Sequence, residues 1–437
     1  MKPWVPLLLL GAAGPLAAQP ASRLAQAIDA QVARVMPQVV AWRRDVHQHP
    51  ELGNREFRTA KLIADQLTML GLEVKTQVGK TGVVALLRGG KPGPVVALRA
   101  DMDALPVTEQ VDLPFKSTQT TDYNGQRVGV MHACGHDNHV AILMGTAAVL
   151  AGMRNDIPGT VKFIFQPAEE GPPRGEQGGA DLMIKEGVLE NPAPGAIFGL
   201  HVWPERVGTV AWKPGPFMAA SDGLRIVVRG RQTHGAQPWG GVDPIVVASQ
   251  IVLGLQTIVS RQEDITKVPA IVTIGSIQGG NRGNIIPDSV LMEGTIRTFD
   301  ESMRADIKRR IERTAMRIAE AAGATAQVEI PEPGLPVTFN DSALTARMLP
   351  TMRRVVGEPN LLRAGLSTPA EDFAYYQKKI PGLFVFLGIV PEGKDPATAP
   401  RNHSPFFFAD EAALPVGVRL LSNLALDFLA SSTKNGS

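Results

Sequence analysis

The segment Met131-His-Ala-Cys-Gly-His-Asp-Asn-His-Val140 holds the single cysteine of the chain, Cys134, and three of its eight histidines, His132, His136 and His139. A thiol and an imidazole two residues apart on a glycine-bent loop can point at one centre. Cysteine thiolate and histidine nitrogen are also preferred donors for zinc-like ions. Taken alone, the string equally describes a buried free cysteine among polar loop residues. The run Ala141–Ala151 downstream has a helical pattern, with Asp137 or Asn138 placed as its N-cap.

Other residues with chemistry recur where apolar runs end. Pro94–Ala100 reads as a central strand buried on both faces, and it empties into Asp101 and Asp103. Carboxylates there lie where open α/β sheets place their chemistry, although turn and cap duty would also account for them. Gly159–Phe165 leads into Gln166-Pro-Ala-Glu169-Glu170. Two adjacent carboxylates after a core strand are costly unless a cation shares the site or the turn is solvated. His201 closes the run Ala196–Leu200, and His403 follows the run Gly382–Gly388. Each residue is a weak signal, and their shared position at strand exits is the strong one. His47 and His49 read as a polar helix terminus near the site rather than as ligands.

A chain of 437 residues is too long for one ordinary domain, and two is the natural expectation. Helices are expected from about residue 21 to Pro50 and from about Arg55 to Gly71, with strands at Glu73–Thr76 and Gly82–Arg88. Between the candidate site residues the pattern changes. A half-exposed strand at 222–229, a helix at 243–261, strands at 270–277 and 288–299, a helix at 302–322 and a strand at 326–330 follow one another. That β-α-β-β-α-β order makes a four-stranded antiparallel sheet covered on one face by two helices. The expected fold is therefore α/β: a mixed central sheet flanked by helices (19–216 and 334–437), with an α+β domain at 217–333 inserted in it.

Residues 1–18 read as a cleavable signal peptide, with one positive charge, a short apolar run and small residues near Ala18. That run is too short and too broken by Pro and Gly to span a bilayer, and no other segment reads as a membrane span. Export to the periplasm or medium makes a lone thiol a liability unless a metal occupies it. A formal charge of +2 gives no electrostatic case for nucleic acid.

The strings R-A-D-M-D-A-L-P (99–106), H-A-C-G-H-D (132–137), Q-P-A-E-E-G (166–171), H-G-A-Q-P with G-G-V-D-P-I (234–245), N-I-I-P (284–287) and E-D-F (371–373) occur in register. Together they resemble the di-metal aminoacylase/carboxypeptidase family, in particular its hippurate hydrolase and indole-acetyl-amino-acid hydrolase branch, from about Trp42 to the C-terminus. The resemblance implies two divalent ions, zinc or manganese with cobalt or nickel also compatible, held by Cys134, His136, Glu170, His201 and His403. It implies Glu169 as general base and acid, and Asp101 as the carboxylate that orients the site. His234 would reach the reacting centre, often from a partner subunit, and Asn284 and Arg297 would lie near the substrate carboxylate. The inserted domain would serve as lid and homodimer interface. The implied activity is hydrolysis of N-acyl amino acids, with a carboxypeptidase or dipeptidase acting on short peptides as the alternative. A non-catalytic binding module would lack the base, and Glu169 is present. Departures from the pattern are Asn138 and Val140 in the metal loop, Trp239 where a second histidine is usual, Ser367-Thr-Pro-Ala before Glu371, and a long Gly171–Gly179 stretch expected to rim the cleft.

Overall fold

The structure is a computed structural model that describes residues 23–433, so the expected signal peptide lies outside the described residues. Its centre is an eight-stranded mixed sheet. Four strands in the middle run parallel: Pro158–Gln166, Lys91–Asp101, Ile197–Arg206 and Gly382–Val390, in that spatial order. Their near-continuous apolar sequences follow from burial on both faces, and every residue of Gly382–Val390 is buried. Short strands flank them, Gly82–Arg88 and Glu73–Val78 at one edge and Val210–Trp212 and Leu361–Arg363 at the other.

One face is covered by the helices Arg23–Gln48, His136–Ala151 and Leu414–Thr433, whose apolar sides form the main core with Val96, Leu98, Phe163, Phe198 and Val385. On the other face Phe217, Phe373, Tyr376, Phe384 and Phe386 make a second, aromatic cluster. The helix His136–Ala151 is buried through Leu150, which is why it shows almost no amphipathic period. It starts earlier than its sequence implies. Gly135, at φ +90°, is the cap residue, and Asp137 and Asn138 lie inside the first turn. Asp137 does not cap because its carboxylate is taken by Arg43 and His47, each 2.9 Å away.

Ala220–Arg229, Ala270–Gly279, Ser289–Thr298 and Thr325–Glu329 form a separate four-stranded antiparallel sheet. The helices Pro244–Thr257 and Glu301–Ala321 pack on it through Ile251, Leu255, Ile307 and Ile311. Asp243 and Asp300 cap these helices by accepting from the backbone N–H groups of Ile245 and Met303.

The expectation that no segment past the N-terminus could cross a membrane needs correcting. Two helices, Pro244–Gln262 and Glu411–Ser432, are long and apolar enough by length and composition. The second is 72% buried as a core helix, whereas the first is only 33% buried. Ile245, Val246 and Leu253 on that first helix are exposed.

Candidate metal centre

The parallel strands deliver their C-terminal ends to one edge of the sheet, and the donors meet there. Cys134 Sγ lies 3.3 Å from His201 Nε2. Cys134, His136 and His201 place donor atoms within 4.8 Å of one another, and Cys134, Glu170 and His403 do the same. The thiol belongs to both triads, so one sulfur can face two ions. Glu169 groups with His136 and Glu170 on one side and with Asp101 and Glu371 on the other.

Two of the histidines have their tautomer fixed by the far nitrogen. His201 Nδ1 donates to the Val202 carbonyl at 2.7 Å, which turns the Nε2 lone pair toward the sulfur. His136 Nδ1 faces Asp103 Oδ1 at 3.2 Å, and its buried Nε2 has no hydrogen-bond partner. Glu170 Oε1 is 2.9 Å from His403 Nε2 yet has no partner in hydrogen-bonding direction. Buried polar atoms are nearly always paired, so lone pairs converging without donors are what a cation site requires. The donor set of sulfur, imidazole and carboxylate fits divalent transition ions.

The electrostatics point the same way. Burial works against a charged His136, yet Asp101 and Asp103 raise its pKa to about 10, so the pocket draws positive charge. Burial and the nearby Glu170 and Glu169 push the Cys134 thiol well up, and only a cation would reverse that. The adjacent glutamates separate. Burial, Glu371 and Glu170 hold Glu169 well above the usual carboxylate range. Glu170 is shifted down in spite of burial, by its contact with His403. Opposed shifts in neighbouring carboxylates are how a ligand and a proton carrier divide their work.

Two backbone features aim these groups. Ala168, just before the glutamate pair, has φ +52°, and His403 has φ +72°. At Gly135 a Cβ would meet Val202 Cγ2 at 2.3 Å, so only glycine lets the Cys134 loop approach the strand that carries His201.

The two aspartates divide their contacts. Asp101 lies 3.8 Å from the Nδ1 of the candidate ligand His136. It pairs with Arg99 at 2.6 Å and accepts from His139 Nδ1 at 2.5 Å, while His139 Nε2 accepts from the Val202 N–H. The carboxylate that holds the ligands is Asp103, with one oxygen toward His136 and the other accepting from the Glu170 N–H at 2.9 Å. Arg99, fully buried, also binds Glu371 at 2.9 Å and Asp372 at 2.8 Å. Burial, offset only partly by Arg99, raises Glu371 to about 8 and Asp372 to about 6. His201 sits inside its strand, Ile197–Arg206, and Cys134 and His403 sit on loops, so not every donor is at a strand exit. His47 lies in a buried network with Asp137 and Glu109 behind the metal loop.

His234, Asn284 and Arg297 are placed apart from this cluster. His234 is exposed within the short strand Thr233–His234, paired with Ile285, and Asn284 is exposed in the turn just before Ile285–Ile286. The His234 ring accepts from the Ala236 N–H at 3.0 Å. Arg297 is half-buried in the strand Ser289–Thr298 and donates to the Ile296 carbonyl at 3.2 Å. Among the described residues none of the three has a hydrogen bond or ion pair to the donor cluster.

A largely buried thiol–histidine–carboxylate cluster at the C-terminal edge of a parallel sheet, with a high-pKa glutamate beside it, is the donor set that a hydrolytic metal centre uses. The profile of Peptidase family M20/M25/M40 matches residues 97–427, and the chain belongs to that family of amide-cleaving hydrolases. An N-acetylcysteine deacetylase of Bacillus subtilis is 40% identical over 391 residues, covering 89% of this chain and 96% of the relative. An IAA-amino acid hydrolase of Arabidopsis thaliana is 38% identical over 395 residues, covering 90% and 86%. Among solved structures, a dinuclear metal binding peptidase of Bacillus subtilis is 38% identical with a TM-score of 0.75, covering 91% of this chain and 99% of that one.

Proposed function

We propose that this chain is an exported amidohydrolase that uses two divalent ions to cleave the amide of N-acyl amino acids carrying acetyl, benzoyl or other aryl-acyl groups. The observation that carries the reading is the single sulfur shared by two donor triads, with Glu169 beside them. Cys134, His136 and His201 would hold one ion, and Cys134, Glu170 and His403 the other. Zinc or manganese suits these donors best, and cobalt and nickel are compatible with them. The ions would supply a water of lowered pKa and a polarised carbonyl.

The protein's own groups move the proton. Glu169, buried and proton-hungry, takes it from the attacking water as the C–O bond forms. It then hands the proton to the departing amine nitrogen as the C–N bond breaks. Asp103 keeps His136 and Glu170 in place throughout.

In this reading residues 217–333 form a lid and homodimerisation domain. The exposed apolar face of Pro244–Thr257 and the edge strand Ala270–Gly279 support association of two copies. His234 of a second copy, or of the closed lid, would then donate to the developing oxyanion, with Asn284 and Arg297 meeting the substrate carboxylate. A metallo-carboxypeptidase acting on short peptides would use the same centre. That second reading is favoured by a thermostable carboxypeptidase of Saccharolobus solfataricus, 40% identical over 397 residues, covering 89% of this chain and 95% of the relative.

Glu169→Gln tests the mechanism. The variant should retain its metals and lose about 10²–10⁴-fold in kcat; turnover like the parent's would overturn the role. A panel of acetyl-, benzoyl- and peptidyl-amino acids at fixed metal separates the two substrate readings.

A further inference from the structure

Beside the donor cluster, opening onto Glu170, lies a cavity of about 840 Å³. Leu105, Pro106, Tyr123, Pro172 and Arg174 contribute to its lining. Its size is that of a ligand pocket. An acetyl group, with the volume of a few waters at about 30 Å³ each, would leave most of it unfilled.

The charges around this cavity are nearly all taken. Glu51 accepts from the backbone N–H groups of Arg58 and Thr59 at 3.0 and 2.9 Å. Arg55 is bound to Glu176 at 2.5 Å, Asp122 lies 3.8 Å from Arg127, and Glu170 faces His403. Arg174 is exposed and, among the described residues, has no hydrogen bond or ion pair.

The loop that carries it is nevertheless fixed. The Glu176 N–H donates to the Pro173 carbonyl at 2.9 Å, closing a turn with Arg174 and Gly175 at its centre. Gly175, at φ +84°, takes the left-handed place that such a turn reserves for glycine. Next along the chain, Glu176 is clamped by Asn54 at 3.0 Å, Arg55 and Lys80 at 2.8 Å. A free guanidinium is thus held on a pinned turn at the rim of a partly apolar cavity that reaches a metal-facing carboxylate.

We propose that this cavity is the acyl subsite, and that Arg174 selects acyl groups whose far end carries a carboxylate, as in an N-succinyl amino acid. The assignment rests on the amidohydrolase reading only for where the scissile amide lies. Binding therefore tests it separately from turnover. Calorimetry on the zinc-loaded Glu169→Gln protein would compare N-succinyl-, N-acetyl- and N-benzoyl-L-alanine. N-succinyl-L-alanine should bind at least tenfold more tightly than N-acetyl-L-alanine. Adding Arg174→Ala should reduce that ratio below threefold, and Arg174→Lys should restore part of it. A ratio indifferent to Arg174, or a preference for benzoyl over succinyl, would overturn the proposal. Arg174-dependent binding of the succinyl compound with no hydrolysis by the parent enzyme would uphold the subsite while removing the N-acyl amino acid reading.

Discussion

Asp103→Ala is the substitution that most directly probes how the centre is held together. Asp103 is 1% exposed and makes two contacts, one to His136 Nδ1 at 3.2 Å and one from the Glu170 N–H at 2.9 Å. Each contact steers a different donor triad. Loss of one carboxylate behind a metal ligand typically weakens binding or activity about 10–100-fold, or about 1.4–2.7 kcal/mol. Because both contacts vanish together, the upper end applies. The half-buried Glu170 N–H would also lose its acceptor, lowering fold stability by about 1–3 kcal/mol. Asp103→Asn keeps an acceptor for His136 but turns an amide N–H₂ toward Glu170, so its loss should be nearer about 10-fold. The assay is zinc competition against a chromogenic chelator, with thermal melts to check the fold. Affinity of Asp103→Ala within threefold of the parent would refute the reasoning.

Two further outcomes are expected. Cys134→Ser should weaken zinc binding at least tenfold in the chelator competition, because the thiol belongs to both donor triads; affinity within threefold of the parent would remove the thiol from the ligand set. If subunits share sites, mixing inactive His234→Ala and Glu169→Gln proteins should restore activity through the hybrid sites that carry both intact residues, and failure to complement would assign His234 to its own chain.

The sheet was legible because strands buried on both faces leave an unmistakable trace. The runs at 94–100, 159–165, 196–200 and 382–388 all became central strands, each longer than its run by two to five residues. The β-α-β-β-α-β order was legible for the same reason, since its half-exposed strands alternate and its helices are capped by Asp243 and Asp300. Cys134, His136, Glu170, His201 and His403 were legible as donor types and do converge. What stayed hidden was who serves whom. Asp101 and Asp103 are two residues apart, and nothing local says that one faces Arg99 while the other faces His136. The partners of Arg99 at Glu371 and Asp372 are brought in from the far end of the chain. The helix Leu414–Thr433 and the hairpin at 120–129 were not foreseen.

The left-handed backbone at Ala168 and His403 has a consequence for how firmly the donors are aimed. Non-glycine residues in that region are disfavoured by about 1–3 kcal/mol each and persist only where the surroundings over-determine them. Here the surroundings are the sheet and the buried Cys134 loop, with the His403 N–H tied to the Ala133 carbonyl at 2.8 Å. The placement of the glutamate pair and of His403 is therefore held by the surrounding fold rather than by local backbone preference. Glycine at position 168 would relax the chain and free the two glutamates beside it to wander, trading their fixed aim for comfort in the backbone.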